Sequence, residues 1–194
     1  TVDLHYRFPW GWDELWGLAN RTDYDLKRHA EASGKSFTYR DPKTNEEYVP
    51  YVIEPTGGIQ RLFLAVMLEA YTVIEGGRTT TTEATKEQEV VMKLPKHLAP
   101  IKIAILPLSK KDELALPAKD LQRMLQKHWT CAYDETASIG RRYRRQDEVG
   151  TPYCITVDFE TLQDKKVTVR DRDTMTQDRV AIEELVQYFS TRLV

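Results

Sequence analysis

Between Tyr51 and Tyr71 the chain changes periodicity over two glycines. A strand that runs straight into a helix needs a sheet to pair with and a face for the helix to pack on. Tyr51-Val52-Ile53-Glu54 has the apolar, β-branched character of a short buried strand. From Ile59 onward, apolar side chains recur at Leu62, Phe63, Val66, Met67 and Ala70, the spacing of an amphipathic helix. Gly57 and Gly58 stand between them, and without a Cβ they let the backbone turn tightly or approach a ligand closely. Glu54 closes the strand and Arg61 falls in the first helical turn, so a carboxylate and a guanidinium flank the glycines. Two readings stand at this point. The glycines can be a plain strand-to-helix turn, with Glu54 near the helix N-terminus and Arg61 in solvent. Alternatively, the N–H groups of the turn and Arg61 can meet an anion such as a phosphate.

Upstream, the sequence supplies strands. Thr1 to Phe8 already reads as the inside of a folded unit, so the sequence is expected to begin within a domain. Phe8 to Ala19 reads as a turn entering a strand, and its three tryptophans, Trp10, Trp12 and Trp16, are expected to anchor a core. Glu14 is an acid set among Trp12, Leu15 and Trp16. It either faces solvent on an alternating strand or is buried to hold a cation. Asp25 to Ala30 turns helical and stops at Ser33-Gly34. Phe37 to Arg40 and Tyr48 to Glu54 predict two strands around a polar hairpin. Residues 1–93 thus read as antiparallel strands and a helix, half of an α+β domain. Within them, residues 75–89 have almost nothing apolar to bury and are expected to form a mobile insertion. A domain boundary is expected between Pro95 and Pro100.

Residues 95–194 alternate in the order β-α-β-α-β-β-α, which predicts a mixed sheet covered by helices. Ile101 to Leu108 is a buried strand, followed by a helix beginning near Pro117 and a strand from Trp129 to Asp134. Ser138 opens a basic helix that Gly150-Thr151-Pro152 ends. Tyr153 to Phe159 and Lys166 to Arg172 are strands, and a last helix turns Ile182, Leu185, Val186, Phe189 and Leu193 inward. In the basic helix, Arg141, Arg142, Arg144 and Arg145 surround Tyr143. This is either a solvated face balanced by Asp147 and Glu148 or a surface for phosphates and unpaired bases. The run holds no Lys, which favours planar recognition over a generic charged surface.

Composition narrows the class. With 41% hydrophobic and 30% charged residues and a net charge of −2, the chain reads as an ordinary globular protein. No apolar run reaches the roughly 18 residues a membrane span requires, and a cytoplasmic location is expected. Cys131 and Cys154 lie far apart in apolar segments and read as reduced core cysteines. His5, His29, His97 and His128 show no ligand spacing, so no metal site is expected.

Four stretches in order carry a family resemblance. They are Trp12-Asp13-Glu14-Leu15-Trp16-Gly17-Leu18-Ala19-Asn20-Arg21-Thr22-Asp23-Tyr24-Asp25-Leu26; Tyr51 through Gly58 to Arg61; Leu98-Ala99-Pro100-Ile101-Lys102; and Gly140-Arg141-Arg142-Tyr143-Arg144-Arg145-Gln146-Asp147-Glu148-Val149-Gly150-Thr151-Pro152. Together they resemble the C-terminal part of a class II glycyl-tRNA synthetase of the homodimeric kind, over the whole chain except the Thr-rich insertion. The resemblance implies an α/β and α+β protein. Residues 1–93 would be the closing portion of an antiparallel class II catalytic domain, and 95–194 a mixed-sheet anticodon-binding domain.

By that resemblance, Glu14, Glu54 and Arg61 are the catalytic residues. Glu14, Glu54, Pro55, Thr56, Gly57 and Gly58 line a glycine pocket, in which carboxylates meet the ammonium and no space is left for a Cβ. Glu14, Leu15, Gly58, Ile59, Gln60 and Arg61 border ATP, which the parent enzyme uses with Mg. Arg141, Arg142, Tyr143, Arg144 and Arg145 contact tRNA(Gly). The parent is expected to be a cytoplasmic homodimer that activates glycine and transfers it to tRNA. The family often has Ser at Thr56, Ala at Gly57 and Asp or Gly at Gln60. Its motifs 1 and 2 have no counterpart here, so the 194 residues alone are expected to be inactive. The other reading is a non-catalytic nucleic-acid-binding or accessory protein on the same scaffold; the retained Glu14, Glu54, Thr56 and Arg61 speak against it.

Overall fold

The computed structural model describes residues 1–76, 78 and 88–193, which fall into two compact units, Thr1–Ala65 and Val66–Val194. The first holds β1 (Val2–Phe8), β2 (Gly11–Asn20), α1 (Tyr24–Ser33), a small ribbon of β3 (Tyr39–Arg40) and β4 (Glu47–Tyr48), and β5 (Ile53–Gly57). The start of α2 (Ile59–Ala70) also belongs to it. β1, β2 and β5 form an antiparallel sheet in that order. Gly11 takes φ 124° in the β1–β2 turn, and Gly34 caps α1 in the left-handed region, donating to the Ala30 carbonyl. Pro55 is tolerated within β5 because that strand lies at the sheet edge.

Two expectations fail in this unit. The strand before the glycines is exposed along its whole length, not buried, and the strand expected from Tyr48 to Glu54 is divided between β4, in the ribbon, and β5, in the sheet. The tryptophans are not core anchors: Trp10 is 64% and Trp12 70% exposed, and Trp16 is also open. A three-stranded sheet with this little chain around it cannot enclose three large aromatics. Phe8 is the buried aromatic of the stretch, and Trp10 stacks on it at 4.8 Å.

The second unit opens with the rest of α2 and an antiparallel ribbon of β6 (Tyr71–Glu75) and β7 (Gln88–Met92). Of the expected insertion at 75–89, residues 77 and 79–87 lie outside the described residues. Glu75, Gln88 and Glu89 are paired in the ribbon. Ala70, Met92, Leu94 and Ala99 form a small cluster with Val66 and Met67, which is why this unit begins well before Pro95.

Next come β8 (Ile103–Pro107), α3 (Asp112–Leu125), β9 (Cys131–Tyr133), α4 (Ile139–Val149), β10 (Tyr153–Val157), α5 (Thr161–Asp164), β11 (Lys166–Asp171), β12 (Gln177–Ala181) and α6 (Leu185–Ser190). The sheet order is β12-β11-β10-β8-β9. β8 runs parallel to β9 and β10, while β11 pairs antiparallel with β10 and β12. β8 and β10 are buried throughout, as continuous apolar strands flanked on both sides should be. Ile103, Ile105, Leu114, Leu121, Leu125, Ile155, Val167, Leu185 and Phe189 build one core between the sheet and its helices.

The mixed sheet is the one expected, with three differences, the first being the short α5 between β10 and β11, where two successive strands are expected. α3 starts at Asp112 and keeps Pro117 inside it. Asp112 and Glu113 suit the positive end of the helix, and burial of Leu114 and Ala115 outweighs the hydrogen bond that Pro117 cannot donate. The fifth strand, β12, is polar along most of its length and sits at an edge, so it lacks the apolar run that reveals a strand.

Candidate functional site

In the first unit a cleft of about 520 Å³ is lined by Asp13, Glu14, Leu15, Thr56, Gly57, Gly58, Gln60 and Arg61. The β1–β2 register shifts between Leu4 and His5: Leu4 opposes Trp16, but His5 opposes Glu14. Leu15 is thus an extra residue, a β-bulge at the cleft. Beyond it, Gly17 opposes Thr56 and Ala19 opposes Glu54. A Cβ built on Gly17 would lie 3.4 Å from Glu14 Oε1, 3.6 Å from Asp3 Oδ1 and 3.9 Å from the Thr56 carbonyl. Three oxygens therefore converge over a residue without a side chain.

The remaining groups are tied together. The Thr56 hydroxyl donates to Glu54 Oε1 at 2.9 Å, and Arg21 Nε lies 3.5 Å from Glu54 Oε2 while the Arg21 guanidinium donates to Asp25 through Nε to Oδ2 and through Nη2 to Oδ1. Arg61 is not simply solvated: its guanidinium donates to the Glu14 carbonyl and lies 3.2 Å from Asp13 Oδ1. The Asp13 carboxyl is held below its usual range, first by the Glu14 N–H and then by the Trp10 indole, with Arg61 adding to both. Gly57 lies against the Trp16 ring, and a Cβ there would come within 2.3 Å of Trp16 Cε3. Its lack of a side chain is explained by that ring. Gly58 has nothing nearer to a built Cβ than Arg61 carbons at 3.9 Å. Pro55 opposes Leu18 on β2, Gln60 borders the cleft, and Ile59 is 80% exposed. Asp13, Asp3 and Gly17 were missed by the sequence reading, since their places depend on strand register.

In the second unit the arginine-rich helix divides by depth. Ser138 precedes it in extended backbone without a side-chain cap. Gly150 ends it at φ 84°, with Gly150 N–H to the Asp147 carbonyl and Thr151 N–H to the Gln146 carbonyl, the paired bonds of a Schellman stop. Arg142 is buried and donates to the Pro107 carbonyl, and burial lowers its pKa. Tyr143 is no open stacking surface: its hydroxyl meets Thr156 Oγ1 at 2.5 Å and Arg170 covers its ring at 4.8 Å. Arg145 donates to Asp134 and to the Thr136 carbonyl. Burial would raise the Asp134 carboxyl, but the Thr136 N–H and the Arg145 guanidinium outweigh it and leave it lowered. Arg144 Nε lies 3.8 Å from Glu148, and Arg141 faces solvent.

Asp147 does not balance a solvated face. It is buried and takes two hydrogen bonds from Arg170, at 2.9 and 2.8 Å. The Arg78 guanidinium stands 3.8 Å away and also donates to the Arg172 carbonyl. Arg172 is itself fully buried, donating to the carbonyls of Met92 (3.0 Å), Gly150 (2.8 Å) and Leu94 (2.8 Å) and to Asp173. Nothing in the local sequence marks these arginines as interior. Burial raises the Cys131 and Cys154 thiols to about 11 and about 12, so neither is a reactive thiolate at neutral pH. Among the described residues, no group of three or more His, Cys, Asp or Glu is placed to hold a metal ion, and no helix is long and apolar enough to cross a membrane.

Residues 102–192 match the anticodon binding domain family. The chain is 53% identical over 195 aligned residues to the glycine–tRNA ligase of Clostridium acetobutylicum, covering 100% of this chain and 40% of that protein. It is 57% identical over 187 residues to the Clostridium perfringens glycine–tRNA ligase (95% of this chain, 38% of that one). To that of Thermobifida fusca it is 48% identical over 196 residues (100% and 42%). The chain thus spans about 40% of the length of these relatives. Among solved structures, the prolyl-tRNA synthetase of Cryptosporidium parvum, complexed with L-proline and AMP, shares the fold. Its TM-score is 0.64 at 15% identity, covering 94% of this chain and 34% of that one. The RNA binding domain of the threonyl-tRNA synthetase from the same organism gives a TM-score of 0.59 at 24% identity, covering 80% and 34%.

Proposed function

We propose, from a chain similar along its whole length to glycine–tRNA ligases and matching the anticodon binding domain family at residues 102–192, that the parent enzyme attaches glycine to tRNA and that this chain by itself mainly binds the tRNA anticodon. Residues 95–194 take the anticodon of tRNA(Gly), and residues 1–93 are the closing portion of the catalytic domain. Glu14 and Glu54 receive the glycine ammonium, with the Thr56 hydroxyl beside them. Gly58, Gln60 and Arg61 border ATP, which arrives with Mg. The protein acts as a homodimer in the cytoplasm.

The chemistry asks little covalent help from the chain. The glycine carboxylate attacks the α-phosphorus of ATP, pyrophosphate leaves, and a tRNA hydroxyl later takes the glycyl group while AMP departs. Fixed charges contribute by positioning the amine and by stabilising phosphate charge without reorganising in the transition state. Glycine offers no side chain to grip. Selection then rests on carboxylates for its ammonium and on a floor, at Gly17, that a larger neighbour would fill.

The observation that carries this reading is that Glu14 and Thr56 line one cleft, with Glu54 bonded to the Thr56 hydroxyl, in a chain 53% identical to a glycine–tRNA ligase. The test is glycine-dependent ATP–pyrophosphate exchange by the full-length protein that contains this chain. Glu14→Gln and Glu54→Gln should each raise the KM for glycine by about tenfold or more, because each removes a charge from the ammonium site. An unchanged KM in both would refute the assignment.

A further inference from the structure

A regular strand alternates its side chains, so residues two apart share a face. Had β2 been regular, Glu14 would share a face with Trp16. Trp16 opposes Gly57 and Leu18 opposes Pro55, so that face is the one turned away from Glu54 and Thr56. Yet Glu14 Oε1 stands 3.4 Å from the Cβ position of Gly17, the residue that opposes Thr56. The unpaired Leu15 is what has moved it. Asp3 gives an independent check: it opposes Gly17 on the other side, and its carboxylate reaches the same point at 3.6 Å.

We propose that the one-residue bulge at Leu15 is the positioning device of the glycine site: it carries the Glu14 carboxylate across β2 onto the face that holds Glu54 and Thr56. Leu15 acts through backbone length, and its side chain need not touch substrate. The proposal rests on the reading in which this face takes the glycine ammonium.

The mismatch between β1 and β2 can be removed in two ways with opposite consequences. Inserting Ala between Leu4 and His5 gives Leu15 a partner, and regular alternation from Trp16 then turns Glu14 to the Trp16 face. Deleting Leu15 also removes the bulge, but Glu14 then directly precedes Trp16 and stays on the Gly17 face. A merely structural bulge would make both variants alike.

The experiment compares both variants and Glu14→Gln in the full-length protein by glycine-dependent ATP–pyrophosphate exchange. Near-ultraviolet circular dichroism and tRNA binding serve as folding controls. The insertion should raise the KM for glycine by about tenfold or more, as Glu14→Gln does, while the Leu15 deletion, which also removes a side chain lining the cleft, should raise it by no more than about a third as much as Glu14→Gln. An insertion variant that keeps the parent KM, or a folded deletion variant whose KM rises as far as that of the insertion, overturns the proposal. If the insertion variant does not fold, the deletion decides alone by the same limits; if neither folds, the bulge serves folding and the proposal fails. An unchanged KM in Glu14→Gln would instead remove the glycine reading, and this inference with it.

Discussion

β5 and β10 are both five-residue strands, and they show how differently the two units use their chemistry. Every residue of β5 is exposed and every residue of β10 is buried. Around β5 the charged groups Glu14 and Arg61 line an open cleft and Glu54 sits beside it, bonded to Thr56, with Arg61 held by the Glu14 carbonyl and Asp13. Around β10 the charged groups are structural: Arg142, Asp147, Arg170 and Arg172 are interior and bonded on several sides. A cluster of like residues in sequence therefore says little about function until depth is known. Charge at the surface of a small sheet is available to a ligand, while charge inside a large one holds the chain together.

That contrast can be broken or sharpened by substitution. The largest effect is expected for Asp147→Ala, which strands Arg170 without its carboxylate. It should destabilise the second unit by about 3–5 kcal/mol in denaturant unfolding, the range for breaking a buried pair. A loss below about 1 kcal/mol would mean that the pair is not interior in solution. Gly57→Ala comes next: the methyl must displace the Trp16 ring, and overpacking of this kind costs about 1–3 kcal/mol. Tryptophan fluorescence should report the shift of Trp16.

Acid should expose a smaller difference. Asp134, Asp158 and Asp171 are all held below the usual carboxylate range, against the effect of their own burial, by N–H groups and by Arg145, Arg179 and Lys96. A depressed folded-state pKa contributes stability that is present above the unfolded value, about 3.9, and is lost as pH falls through the folded one. The second unit should thus lose stability below about pH 4. Asp134→Asn should remove part of that slope in acid titrations followed by circular dichroism. The smallest structural effect is expected for Arg141→Ala, within about 0.5 kcal/mol, as for most surface changes. On the proposed function, its affinity for tRNA(Gly) should nonetheless fall and its salt dependence flatten by about one charge. Unchanged tRNA binding would leave the basic helix without a contact at its exposed side.

Much of this was legible in the sequence, for reasons that differ by residue. β8 and β10 are continuous apolar runs, and Gly150 after a helical stretch marks a left-handed stop, so the buried strands of the second unit and the end of α4 could be read from periodicity and caps. β12 could not, because an edge strand needs no apolar pattern. At the cleft, Glu14, Glu54, Thr56 and Arg61 were found as acids and a guanidinium near glycines. Asp13 was not, although it lines the cleft, and the meeting of Glu14 and Asp3 over Gly17 was not, because it depends on a register shift that alternation cannot foresee. The arginine run misled in one respect. Arg142 and Tyr143 look like recognition residues, but they face the sheet because α4 packs on it through that side.

Arg172 has one more consequence. Two of the carbonyls it binds, those of Met92 and Leu94, precede Pro95, and the third, of Gly150, ends α4. A piece of the chain cut at Pro95 would leave a buried guanidinium with donors facing nothing, and would also take Leu94 away from Gly150. The place to divide this protein for dissection is therefore before the β6–β7 ribbon, at the start of the second compact unit, even though the anticodon binding domain match begins only at residue 102.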